Sequence, residues 1–222
     1  MQLSLIPQSE LYTIFDEHNP LYKLAVTHPD NMCWLATLFY ALQYMGFESN
    51  KKLHRKLAKL LYISYDLMEV NQENGALMFV KKYELGDKQI RTNLNDLFKE
   101  INLKVKVEKI ISNITYDEIE KIRQYLLHGK QLLTIIKNIN LLHPNEEPES
   151  DIPNHVVLIK EIDDTHDGML RIVFLDPSYG KFLEGKVGVH AFVQWIQYIW
   201  VLERRRNIVH KIFFNKASYL NK

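Results

Sequence analysis

The 222-residue sequence holds a single cysteine, Cys33. Without a second thiol no intramolecular disulfide can form, and neither can a zinc site built from several thiolates. Glycine and proline are scarce, at 8 and 7 residues, which excludes collagen-like repeats and flexible low-complexity chain. Charge of one sign is also missing: 28 Lys and Arg stand against 27 Asp and Glu, for a net charge of +1. No strong field therefore draws in DNA, RNA or an anionic membrane, and no nucleic-acid partner is expected. No window approaches the roughly 18 consecutive apolar residues of a membrane-spanning helix. The opening Met1-Gln2-Leu3-Ser4-Leu5-Ile6-Pro7-Gln8 lacks the basic start and long apolar run of a secretory signal. The expected location is the cytoplasm, or outside it by a route other than a secretory signal.

What is present is the composition of an ordered globular protein, 46% apolar, 11% aromatic and 25% charged. At this length a folded chain hides roughly 70–75% of the surface its unfolded form exposes, enough for a substantial core. One domain over residues 1–222 is expected, with 47–130 a mostly helical insertion or lobe. The basic clusters at Lys51-Lys52, Lys56 to Lys59 and Arg204 to Arg206 read first as solvated faces; only the last, with His210, Lys211, Lys216 and Lys222 near it, also carries a weak nucleic-acid or membrane-surface reading. The 12 Tyr and 10 Phe lie within apolar runs and read as core, not as a stacking platform for bases.

From Asp30 to Gly46 the chain is apolar on nearly every face, which predicts a buried helix with Asp30 or Asn31 as N-cap, Gly46 as its stop and Cys33 in its first turn. Amphipathic spacing predicts helices over Leu53 to Met68, Ile90 to Ile101 and Tyr116 to Leu127. Leu103 to Ile110 and Gln131 to Ile139 read as strands. Two more strands, His155 to Ile162 and Leu170 to Leu175, flank an Asp167-Gly168 hairpin signal. A short helix over Val189 to Gln197 and strands over Ile199 to Glu203 and Val209 to Phe214 complete the pattern. The predicted class is α+β: a helical first half whose central, cysteine-bearing helix packs on an antiparallel β-sheet formed by the second half.

A free thiol, with a pKa near 8.5, is only a few per cent thiolate at neutral pH; a helix N-terminus and a neighbouring imidazolium both favour the thiolate. Cys33 has the first aid by position. His155 opens a strand directly after a loop, where its ring can face the helix tip. Asp176 ends the partner strand of the same hairpin and so lies beside the start of His155's strand, placed to orient the ring. Singly, each residue also fits a packing or turn role. Their joint order on helix, strand and hairpin points to nucleophilic catalysis. Of the other histidines, His54, His128, His143, His166, His190 and His210 show no paired ligand spacing with acidic residues, and there is no phosphate loop or dinucleotide fingerprint. Neither metal nor cofactor is expected.

At these residues the sequence resembles the papain-like superfamily of cysteine peptidases, in which a Cys-Trp pair such as Cys33-Trp34 opens the central helix, a histidine follows on a strand, and an Asn or Asp orients it. The runs His155-Val156-Val157-Leu158-Ile159 and Phe174-Leu175-Asp176-Pro177-Ser178-Tyr179-Gly180 are similar to those of bacterial peptidases that trim double-glycine leader peptides. The resemblance implies a papain-like fold and cleavage of a protein or peptide through a thioester on Cys33, with His155 as base and Asp176 as its partner. It covers about Asp30 to Gly46 and His155 to Leu202. The superfamily usually carries a glutamine about six residues ahead of the cysteine to bind the oxyanion; here that position is Thr27. Asn31, His28 and the distant Gln8 are candidates for that donor, Asn31 foremost.

The same order resembles transglutaminase-like enzymes, which transfer the acyl group or deamidate glutamine, although their cysteine and histidine usually lie closer together in sequence. Asp30 faintly resembles a feature of the ovarian-tumour class of deubiquitinases. A non-catalytic binding module on the same fold is the third reading. Export without a secretory signal would suit a bacterial effector. Finally, Pro144 to Asp151 carries two prolines and four carboxylates shortly before His155, a loop that reads equally as a plain solvated connection and as one that selects basic substrates.

Overall fold

The computed structural model describes residues 3, 5–15, 17–18, 32–68, 87–112, 114–136 and 155–205. A 3₁₀ helix over Gln8–Ile14 is followed by α1 (Cys33–Tyr44), α2 (Lys51–Met68), α3 (Asp87–Glu100), β1 (Val105–Ile111), α4 (Tyr116–Leu127) and β2 (Gln131–Ile136). Then come β3 (His155–Asp164), β4 (Met169–Asp176), β5 (Lys181–Gly188), α5 (Val189–Trp195) and β6 (Ile196–Arg204). The six strands form one sheet in the order β1-β6-β2-β3-β4-β5, and every neighbouring pair is antiparallel. The class is α+β.

Helix α1 is the centre of the structure because its sequence offers no polar stripe: every residue from Cys33 to Gln43 is buried. A helix apolar all round must be surrounded. It packs on β2 and β3 and against the 3₁₀ helix and α2. Its N-cap is Met32, which makes no side-chain cap hydrogen bond; Asp30 and Asn31, the expected caps, lie outside the described residues. Cys33 is thus the first helical residue. At the other end Gly46, at φ 81°, donates to Gln43 O and Phe47 donates to Leu42 O, the paired bonds of a left-handed C-terminal stop that glycine adopts at little cost.

Two hydrophobic clusters cover the two faces of the sheet. Leu133, Ile135, Val156, Leu158 and Leu175 join the residues of α1, α2 and α3. Leu132, Ile136, Val157, Ile159 and Phe174 join Ile119 and Ile122 of α4 and Phe192 of α5. Strands covered on both faces need apolar residues at successive positions, which is why β2 and the start of β3 read as unbroken apolar runs.

Segment 47–130 is not helical throughout: besides α2, α3 and α4 it supplies β1, which pairs with β6 in the common sheet. Asn95 of α3 fastens that edge, donating from Nδ2 to Val107 O (2.9 Å) and accepting at Oδ1 from Val107 N (2.8 Å). Two elements had no sequence signal. Strand β5 is an edge whose Lys181, Glu184 and Lys186 are exposed, charges that discourage edge-to-edge pairing and hide the alternation expected of a strand. The 3₁₀ helix buries only a few side chains, Leu11 and Ile14 among them, too short a pattern to stand out. The expected strand over Val209 to Phe214, the tail of Gln131 to Ile139 and the acidic segment Pro144 to Asp151 lie outside the described residues. Among the described residues no helix is long and apolar enough to cross a membrane.

Candidate active site

Cys33 stands at the first position of α1 and is 3% exposed. His155 opens β3, paired with Ile136 of β2, and is 6% exposed. Asp176 closes β4 and is fully buried. Because β3 and β4 are neighbours running in opposite directions, the start of one and the end of the other coincide. His155 Nε2 lies 2.9 Å from Asp176 Oδ1, and Cys33 is within hydrogen-bonding reach of the same imidazole. With Nε2 donating to the carboxylate, Nδ1 is the ring nitrogen left for the thiol.

Asp176 is held in place before it holds anything else. Its Oδ1 also accepts the Ser178 backbone N–H at 2.8 Å, and its carbonyl accepts from Gly180 N at 2.9 Å, so Asp176-Pro177-Ser178 forms a side-chain-to-backbone turn. The N-terminal segment braces that turn: Gln8 N donates to Pro177 O at 2.6 Å, and Tyr40 of α1 donates its hydroxyl to Ile6 O. Gly180 has φ 60°, and a Cβ there would meet Pro7 N at 2.8 Å and Pro7 Cδ at 2.9 Å. Gly180→Ala is therefore expected to lower stability by more than the ~1–2 kcal/mol that left-handed backbone alone costs an L-residue. Urea unfolding would check this; an unchanged midpoint would show that the N-terminal segment does not press on the turn.

The electrostatics follow from enclosure. Burial, the largest single influence on His155, opposes its charged form, but hydrogen bonds to Asp176 and Cys33 and electrostatic interaction with both outweigh it, and its pKa is raised above the ordinary imidazole value. Tyr40 is pushed up, first by burial and then by the negative charge of Asp176, which places a neutral phenol beside the carboxylate. A raised folded-state value means that the native protein binds the proton more tightly. The His155 contribution to stability is then fully present below the unfolded value, about 6.5, and is lost as pH rises through the folded one. The melting midpoint is expected to fall on the alkaline side of neutrality in the wild type and to fall less in His155→Gln. Equal slopes in the two proteins would remove the imidazolium from the account.

Among the described buried residues His155 and Asp176 are the only histidine–carboxylate pair. Comparison with protein-family models, curated proteins and solved structures finds no match to this chain. Ionic groups taken out of water lose several kcal/mol each in solvation, and apolar residues of the same volume commonly stabilise a core as well or better. Here the buried His155–Asp176 pair lies against the Cys33 thiol.

Of the candidate oxyanion residues, Asn31, His28 and position 27 lie outside the described residues. Gln8 lies within them, buried, with its Oε1 unpartnered and its backbone tied to the turn after Asp176. Tyr40, seven positions along α1 from Cys33, carried no sequence signal because a tyrosine in an apolar helix is indistinguishable from ordinary core. No group of three or more potential metal ligands occurs among the described residues.

Proposed function

We propose that the chain is a papain-like cysteine hydrolase that cleaves an amide bond in a protein or peptide. The supporting observation is that the one cysteine, at a helix N-terminus, shares a buried imidazole with a carboxylate that the backbone holds rigidly. The Cys33 proton passes to His155, and Sγ then attacks the carbonyl carbon, giving a tetrahedral oxyanion. The C–N bond then breaks, His155 returns the proton to the departing amine, and a thioester remains on Cys33. Water, deprotonated by His155, attacks the thioester and releases the carboxylic acid and the thiol. Asp176 stays ionised throughout and fixes the ring. The backbone N–H of Cys33 is one donor to the oxyanion, and the buried carboxamide of Gln8 is the candidate for the second.

An electrophilic peptide probe that acylates or alkylates active thiols tests this. Labelling of the native protein, absent in Cys33→Ala and in denatured wild type, supports a nucleophile activated by the fold. Labelling that survives only in denatured protein would reduce the site to a packing arrangement and the chain to a binding module. Adding a primary amine then asks which acceptor takes the acyl group: free acid means hydrolysis, and a new amide means acyl transfer.

A further inference from the structure

Thr37 is a buried hydroxyl on α1, four residues after Cys33. Residues four apart share a helix face, so Thr37 follows Cys33 directly along the side of α1 that meets the sheet. A threonine within a helix ordinarily turns its hydroxyl back to the carbonyl one turn earlier. Here Oγ1 donates instead to Val156 O, 2.9 Å away on β3. Val156 adjoins His155, and it lies beyond Leu158–Leu175, the last registered pair between β3 and β4 at that end. The bond therefore joins the residue one turn after the nucleophile to the residue directly after the base, across the helix–sheet contact.

Around it the helix and sheet share an apolar cluster that includes Ala36, Leu133, Ile135 and Leu158, whose packing is non-directional. A hydrogen bond has a defined length and angle. We infer that Thr37 is a positioning residue: its bond to Val156 O sets the register of α1 on β3 and so fixes the distance between the Cys33 thiol and the His155 ring. The inference rests on the proposed Cys33–His155 dyad. It does not place Thr37 in contact with substrate.

The test is the pH dependence of Cys33 alkylation by iodoacetamide in wild type, Thr37→Val, Thr37→Ala, Thr37→Ser and His155→Ala. Valine nearly keeps the shape and removes the donor; serine keeps the donor and removes a methyl group. Since reacting pairs are sensitive to a misplacement of about 1 Å, Thr37→Val is expected to slow alkylation at neutral pH by up to about tenfold, the loss expected of His155→Ala, and to move the profile toward that variant's. Thr37→Ser is expected to retain the wild-type profile. If valine does not fold there, alanine carries the same expectation. A wild-type profile in the folded valine or alanine variant, or a serine variant as impaired as they are, would overturn the positioning role while leaving the dyad intact. A His155→Ala profile identical to wild type would overturn the dyad itself, and the role of Thr37 with it.

Discussion

His155→Ala is expected to lower hydrolysis of a cleavable peptide by about 10²–10⁴-fold, the range that a positioned acid–base group supplies. The ring serves twice, taking the thiol proton before attack and returning one to the leaving amine, so its loss affects both steps. A substrate is not needed to see the first of these. A free thiol is only a few per cent thiolate at neutral pH, and a thiolate paired with imidazolium is a far larger share, although each paired thiolate is intrinsically a weaker nucleophile. The two effects oppose, and a net loss of about tenfold in iodoacetamide reactivity at neutral pH is expected in the variant. Because Cys33 is almost fully enclosed, the comparison is made between folded proteins, with the denatured rate as reference. Equal rates in variant and wild type across the pH range would sink the dyad.

Asp176→Ala is expected to have the largest effect on stability and a large one on reactivity, whereas Asp176→Asn spares much of both. Oδ1 accepts from His155 Nε2 and from Ser178 N at once, and it is inaccessible to water. Alanine leaves a buried imidazole and a backbone N–H without their acceptor; breaking a buried pair from one side costs about 3–5 kcal/mol. Asparagine keeps an oxygen in the same place, so the turn and the orientation of the ring survive, and only the negative charge that favours imidazolium is lost. Chemical denaturation and the alkylation profile together read out the two effects. An alanine variant with wild-type stability and reactivity would show that another group orients His155, and an asparagine variant as damaged as alanine would show that charge, not orientation, is what Asp176 supplies.

The elements most legible in the sequence were those with strong local rules. The helix over Tyr116–Leu127 has its predicted bounds, since an acidic first turn and a glycine stop mark both ends. The β3–β4 hairpin follows from Asp167-Gly168 between two apolar runs. Its consequence, that His155 and Asp176 share one end of the sheet, needs no long-range information because a hairpin brings its own termini together. Strand β5 was illegible for the opposite reason, an exposed edge whose side chains are chosen against further pairing, and α1 begins at Cys33 with Met32 as its N-cap, which no side-chain cap bond marks.

The sequence by itself determined the class of the fold, the central position of the helix that bears Cys33, and the pairing of His155 with Asp176, because periodicity, turn chemistry and hairpin closure act over short spans of chain. Tertiary structure alone decided the rest. Cys33 and His155 are far apart in sequence, and only the packing of α1 on β3 puts the thiol against the ring. The bracing of the Asp176 turn by Pro7 and Gln8, the phenol of Tyr40 near the carboxylate, and the Thr37–Val156 bond are likewise contacts between distant segments. Such contacts depend on how buried surfaces fit together, and no local pattern of residues encodes that fit.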